Sequence, residues 1–180
     1  MRRASPKCIG SASVLANRWI TVRRNLYRLD GGAEAIDYYV TDTADIALVV
    51  PITQRGRFLM VEQWKLPIGE RSVEFPAGAI DRGSPLANAK RELLEETGYS
   101  GGRWRKLGLV FPDTGRSRNR VHVFTVHGVA RIREPAPDPV ERACGLQVVE
   151  IGRRRLRDLI AQGGVTSAGT LAALALFQAR

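Results

Sequence analysis

Residues Ile46 to Ile52, Ile-Ala-Leu-Val-Val-Pro-Ile, carry no charged and no hydrogen-bonding side chain. A strand with one wet face alternates apolar and polar residues, so a run that is apolar at every position reads as a strand buried on both faces. Gln54-Arg55-Gly56 then turns the chain, and Arg57 to Gln63 returns, which predicts a hairpin. Upstream, Trp19 to Leu29 and Ala35 to Val40 are rich in β-formers and flank a turn at Asp30-Gly31-Gly32. Downstream, Ser72 to Phe75 predicts a short strand ending at Pro76-Ala77-Gly78.

The period then changes. Ser84 followed by Pro85 has the form of an N-cap with proline at the first helical position, and Gly98 the form of a stop. A helix is predicted over Pro85 to Thr97, with Leu86, Ala89 and Leu93 on one face. Strands are predicted at Trp104 to Phe111, Arg120 to Val126 and Leu146 to Ile151, with a Pro-rich loop from Glu134 to Pro139. Helices are predicted at Arg153 to Ala161 and Ser167 to Arg180. Several strands, one helix, more strands and two helices do not alternate as a doubly wound sheet does. The order predicts an α+β chain or an α/β/α sandwich around a mixed sheet.

The segment Arg91-Glu92-Leu93-Leu94-Glu95-Glu96-Thr97-Gly98-Tyr99 carries the chemistry. Glu92, Glu95 and Glu96 stand at i, i+3 and i+4, within an arc of about 100° that the wheel puts opposite Leu86, Ala89 and Leu93. Like charges this close repel, and the C-terminal end of a helix disfavours anions. Either they form a solvated acidic face, or a hard divalent cation resolves the conflict, taking carboxylate oxygens and leaving positions for substrate phosphate.

Gly78, Arg91-Glu92-Leu93, Glu95-Glu96 and Gly98-Tyr99 together resemble the signature of the Nudix hydrolases, G-x5-E-x7-R-E-U-x-E-E-x-G-U, where U is bulky and apolar. The second half matches fully. In the first half twelve residues separate Gly78 from Arg91 where the signature has thirteen, and the first Glu is absent near Ser84. Val61-Glu-Gln-Trp-Lys-Leu-Pro67, Glu74-Phe-Pro-Ala-Gly78, Phe111-Pro-Asp-Thr-Gly-Arg116 and the segment from Gly164 to Leu174 resemble the ADP-ribose and ADP-sugar pyrophosphatase branch. The likeness covers about residues 18 to 180.

The resemblance implies a Nudix-like α/β/α sandwich and metal-dependent hydrolysis of a nucleoside diphosphate linked to another moiety, with Mg2+, or Mn2+, as cofactor. It maps Glu92, Glu95 and Glu96 onto metal ligands, with the backbone carbonyl of Ala77 completing the set. It makes Glu95 a ligand or water-positioning base, and Arg91 either orients a neighbouring carboxylate or forms a simple helix-surface ion pair. Glu74 is a further ligand or the partner in a strand-end salt bridge. The branch carries its catalytic base in a loop before the last strand, where Glu134, Asp138 and Glu141 stand; Glu141, nearest the strand, is the choice. Arg116, Arg118 and Arg71 are the candidates for substrate phosphate. Arg116, Arg118 and Arg120 share one side if the segment is extended, as a phosphate grip or as an exposed basic turn. His122 and His127 read as structural.

The chain has 28 basic and 18 acidic residues, a net charge of +10, and 24 of its basic residues are Arg. That balance suits phosphorylated partners, although a codon bias toward Arg yields the same count. Only 7% of residues are aromatic, so no RNA-stacking platform is evident and nucleic acid is not the expected partner. No apolar stretch reaches the ~18 residues of a membrane span. Two cysteines and a basic start too weak for a signal sequence lead to a cytoplasmic expectation. Residues 1–17 are expected to be a flexible segment, 18–44 a β extension that dimerises the chain, and 45–180 the hydrolase domain. Competing functions are hydrolysis of dinucleoside polyphosphates or capped RNA, and a nucleotide-binding module without turnover.

Overall fold

The structure, a computed structural model, describes residues 5–29 and 35–180. The turn expected at Asp30-Gly31-Gly32 lies outside them. Contacts divide the chain into two compact units. One contains the described residues up to Ala44 together with Phe111–Arg120; the other contains Asp45–Val110 and Val121–Arg180.

In the first unit β1 (Lys7–Ala16), β2 (Thr21–Arg28) and β3 (Ala35–Asp42) form an antiparallel sheet in that order. Strand β1 falls within residues 1–17, for which a flexible segment was the expectation. Every residue of β1 is exposed, so backbone pairing with β2 holds the strand and no burial pattern advertises it. The segment Phe111–Arg120, expected with the hydrolase domain, is bonded to β3. Thr41 N–H donates to Arg116 O at 2.7 Å, and Arg118 N–H donates to Thr41 O at 3.2 Å.

The second unit is built on β4 (Ile46–Thr53). It is joined by β5 (Phe58–Lys65), β6 (Glu70–Glu74), β7 (Ala77–Ala79), α1 (Pro85–Thr97), β8 (Tyr99–Ser100), β9 (Arg103–Val110), β10 (Val121–Arg131), α2 (Pro139–Ala143), β11 (Gln147–Ile151), α3 (Arg153–Ala161) and α4 (Ala168–Gln178). The sheet order is β11-β5-β4-β10-β8, with β6 on β5, β7 on β4 and β9 on β10. It is mixed because β4 and β10 are parallel while their other neighbours are antiparallel. The expected hairpin of β4 and β5 pairs only at its base, Ile52 with Phe58. Above that point the strands splay, and β7 takes the place beside Ile46–Leu48.

The all-apolar run does what its pattern demands. Leu48, Val50 and Ile52 face a core with Phe58, Met60, Leu156 and Leu174, on the side of α3 and α4. Ala47 and Val49 face a second core with Leu59, Ala89, Leu93 and Phe124, on the side of α1. Helices thus flank both faces of the mixed sheet, as the α/β/α expectation required. Each fully buried Leu or Phe contributes roughly 1.5–3 kcal/mol, which makes these two layers the main stabilising term. Among the described residues no helix is long and apolar enough to cross a membrane.

Helix α1 begins and ends where the caps predicted. Ser84 Oγ accepts from the Ala87 N–H at 3.2 Å, and Gly98 adopts a left-handed φ of 76°. A side chain at Gly98 would also run into the Arg133 carbonyl, so glycine is required twice over. The Pro-rich loop is not wholly irregular. Asp138 caps α2 and shares a capping box with Glu141, a five-residue helix too short for periodicity to reveal.

One buried hydrogen bond fixes the start of the turn that leads to Gly78. The Phe75 N–H donates to Thr170 Oγ1 of α4 at 3.2 Å, and Thr170 is 1% exposed. Thr170→Val keeps the volume and strands that donor. Urea unfolding should report a loss of roughly 1–3 kcal/mol, with an unchanged far-ultraviolet circular dichroism spectrum.

Candidate active site

Helix α1 presents more than one face to the protein. Alongside Ala89 and Leu93 it buries Glu92, 8% exposed, and Glu96, 2% exposed. The solvated acidic arc is therefore ruled out for two of the three carboxylates; Glu95 keeps a side chain 38% exposed. The arc does not lie opposite the apolar face: Glu96 stands seven residues after Ala89 and three after Leu93, so it borders that face, and β7 and the turn before it cover the side it shares with Glu92. Antiparallel pairing of Ala77 with Leu48 and Gly78 with Ala47 brings the turn against the helix. The fit is close: a Cβ built on Gly78 would lie 2.2 Å from the Glu92 carboxyl group.

Buried carboxyl groups resist ionisation. Burial, and then the neighbouring charges of Glu95 and Glu141, raise Glu92 to about 7 despite the opposing pull of Arg91. Burial also raises Glu96 well above its ordinary range, helped by Glu141 and Glu92 and opposed by Lys65 and the Ala77 backbone amide. Glu96 Oε2 is buried without a hydrogen-bond partner. A natural core rarely leaves such an atom unpaired.

Arg91 pairs with two of the acids. Its guanidinium reaches Glu92 Oε1 at 2.7 Å and Glu95 Oε2 at 2.8 Å, and donates to Asn88 Oδ1 at 3.2 Å. The shortened first half of the motif is closed by Asn88, 2% exposed, whose Nδ2 donates to Arg82 O at 2.6 Å and Ser84 O at 3.0 Å. Sequence reasoning missed Asn88, because a lone Asn inside a helix has no signature. It also missed Lys65, which pairs with Glu74 at 2.9 Å and whose charge acts on Glu96. The segment Val61 to Pro67 was the available signal. Glu74 is thus found in the strand-end salt bridge.

Glu141 is brought to this cluster electrostatically, since its charge raises both Glu92 and Glu96. Its Oε2 also accepts from the Asp138 N–H at 2.8 Å. Asp138 is spent on that cap, and Glu134 is held by Arg131 at 2.5 Å. Arg71 bonds Glu62 at 2.9 Å and the Gly145 carbonyl at 3.2 Å, tying β6 to the chain beyond α2. Arg116 and Arg118 belong to the other unit. Both are exposed on either side of Ser117, in a segment that turns at residues 114–116, and Arg118 lies 3.6 Å from Asp42. His122 lies 3.3 Å from Asp45, and His127 stacks on Phe177 at 5.9 Å.

Among the described residues no three His, Cys, Asp or Glu side chains are gathered closely enough to enclose a metal. The donor set nevertheless fits a hard cation: two buried carboxyl groups that repel, an unpartnered buried oxygen, and a turn where only glycine leaves room. Oxygen donors of this kind suit Mg2+. Glu92, Glu96 and Glu95 are the residues able to hold one.

Buried carboxyl groups at a capped helix on an α/β/α sandwich would, with a divalent cation bound, suit the chemistry of phosphate esters and anhydrides. The chain matches the NUDIX domain over residues 42–162 and belongs to the Nudix family. It is 28% identical over 135 residues to the ADP-ribose pyrophosphatase of Bacillus subtilis, covering 74% of this chain and 72% of that one. It is 43% identical over 89 residues to the ADP-sugar pyrophosphatase of Mus musculus, covering 47% and 41%. The fold superimposes on the crystal structure of an ADP compounds hydrolase with a TM-score of 0.85 at 19% identity, covering 99% and 95% of the two chains. Domain and fold together support a pyrophosphohydrolase.

The buried acids also govern stability. With a folded pKa above the ordinary 4.5, Glu92 keeps its proton in the folded chain over a range where the unfolded chain has released it. The metal-free protein should therefore lose melting temperature as pH rises from about 4.5 toward 7. Mg2+ should restore it most at the upper end, where it replaces the departing protons. Differential scanning calorimetry in EDTA and in Mg2+ checks both slopes.

Proposed function

We propose that this protein hydrolyses the pyrophosphate bond of an ADP-sugar, ADP-ribose foremost, to AMP and a sugar phosphate. The observation that carries the reading is the burial of Glu92 and Glu96 against Gly78, with one Glu96 oxygen unpartnered. The substrate class rests on the similarity to the ADP-ribose and ADP-sugar pyrophosphatases of Bacillus subtilis and Mus musculus.

In this reading Glu92, Glu96, Glu95 and the Ala77 carbonyl hold Mg2+, with Mn2+ as a substitute. The cation supplies charge neutralisation of the pyrophosphate and a more acidic water. The chain does the rest. Arg91 keeps Glu92 and Glu95 apart and aimed. Lys65 tempers the charge at Glu96. Glu95 positions the attacking water, and Glu141 accepts its proton as the oxygen bonds to phosphorus and the bridging P–O bond breaks. Arg71 binds phosphate oxygens of the substrate through charge-assisted hydrogen bonds, and Arg116 and Arg118 are candidates for substrate phosphate.

Incubation with Mg2+ and a panel of nucleotides, with products resolved by chromatography, tests the reading. ADP-ribose should yield AMP and ribose 5-phosphate. Glu96→Gln should slow turnover by at least ~100-fold, more than the 10–100-fold typical of supporting metal partners. Arg116→Lys should raise KM for ADP-ribose and leave Mg2+ affinity unchanged, because a point charge replaces a bidentate fork poorly. Turnover of dinucleoside polyphosphates or capped RNA in place of ADP-sugars would overturn the substrate assignment.

The proposal extends to a homodimer assembled through the β extension over residues 18–44, whose Ile36, Tyr38 and Tyr39 are exposed. Light scattering at micromolar concentration should report twice the 19.8 kDa chain mass; a monomer would sink it.

A further inference from the structure

The sheet face that carries α3 and α4 ends in a cavity of about 290 Å³ that shares no residue with the acidic site. Its walls include Phe58, Leu156, Leu174 and Phe177, and its mouth carries Arg153 and Arg157. These two arginines stand at i and i+4 on α3, one above the other, a like-charge spacing that destabilises a helix. The Arg153 guanidinium lies 6.0 Å from the Phe58 ring centre and 5.9 Å from that of Phe177. Contact with the two rings holds its planar fork at the mouth.

A second pair of arginines adjoins the first. Arg103 of β9 is registered opposite His127 of β10, and Arg105 opposite Thr125, so both project from the same sheet face as His127. The His127 ring stacks on Phe177, 5.9 Å away at an angle of 25°. Phe177 therefore joins the cavity to the basic strip. Burial, and then the charges of Arg103, Arg105 and Arg153, hold the His127 imidazole below its ordinary pKa, which shows that these groups share one field. Among the described residues none of Arg103, Arg105, Arg153 and Arg157 forms an ion pair.

Four uncompensated guanidinium groups around an aromatic-walled cavity have no account in the stability of the fold. We propose that this cavity binds a nucleoside monophosphate, its flat ring against the partly exposed Phe177 and its phosphate on Arg153 and Arg157, with the strip of Arg103 and Arg105 adding to the positive field. The cavity volume sits at the small end of ligand sites, about 300–1,000 Å³, which suits one nucleoside rather than a dinucleotide or a polymer strand. Arg forks match phosphate oxygens in pairs, and a fork already pinned loses less freedom on binding. The site is separate from the proposed hydrolysis and its test does not depend on turnover.

The protein contains two histidines, so the ring protons of His127 are a local reporter, identified as the signal absent in His127→Gln. The full chain in EDTA would be titrated with AMP, inorganic phosphate and adenosine while these protons are followed by NMR. AMP should shift the His127 signal saturably. Phosphate should do so at least ~10-fold more weakly, and adenosine alone more weakly still. Arg153→Gln combined with Arg157→Gln should weaken AMP at least ~10-fold while circular dichroism and hydrolytic rate stay at wild-type values. Should that pair fail to fold, Arg153→Lys keeps the charge, removes the fork and should still weaken AMP. An unmoved His127 signal, or AMP affinity untouched by these substitutions, overturns the proposal. Phosphate binding as tight as AMP overturns the nucleoside part and leaves an anion site.

Discussion

The burial of Glu92 and Glu96 between α1 and the Ala77-Gly78 turn is the constraint on which the rest of the second unit depends. Taking a carboxyl group out of water costs several kcal/mol if it stays ionised and forces up its pKa if it does not. The fold accepts that cost at two positions on one helix. Ala89 and Leu93, both fully buried beside them, and the apolar core beneath α1 supply the compensation. A helix lying only on its acidic side would lift away from the sheet.

Two further features hold the pair in place. Gly78 leaves room that any side chain would fill, and Arg91 bridges Glu92 and Glu95 so that the three acids do not push the helix end apart. The arrangement is stable enough to fold and unsatisfied enough to bind. The unpartnered Glu96 oxygen is the local expression of that balance. Ser84 and Asn88 close the shortened loop by capping and by side-chain bonds to carbonyls, which requires no charge.

The positive charge of the chain is distributed rather than pooled. Arg91 works inside the acidic cluster, Arg71 ties β6 to the chain beyond α2, and Arg118 approaches Asp42 in the first unit. The set around Phe177 has no acidic partner among the described residues, and is the part of the excess that ion pairing leaves unexplained. A codon bias can account for Arg in place of Lys, but not for two of them at one cavity with two more acting on the adjoining His127.

The sequence by itself determined the helices Pro85–Thr97 and Arg153–Ala161, most of the long strands, and the membership of Glu92, Glu95 and Glu96 in one constellation. Those readings rest on local signals: caps, breakers, and the period of apolar residues, which the chain expresses within a few positions of where they act. Tertiary structure decided what local signals do not encode. The burial of Glu92 and Glu96 required β7, a three-residue strand whose only mark is its pairing with β4. Strand β1 is held by backbone hydrogen bonds and buries nothing. The attachment of Arg116 and Arg118 to β3, the engagement of Lys65 with Glu74, and the joint influence of Arg103 and Arg153 on His127 link residues far apart in sequence. Such contacts are created by chain crossings, and a linear pattern carries no record of which crossings are made.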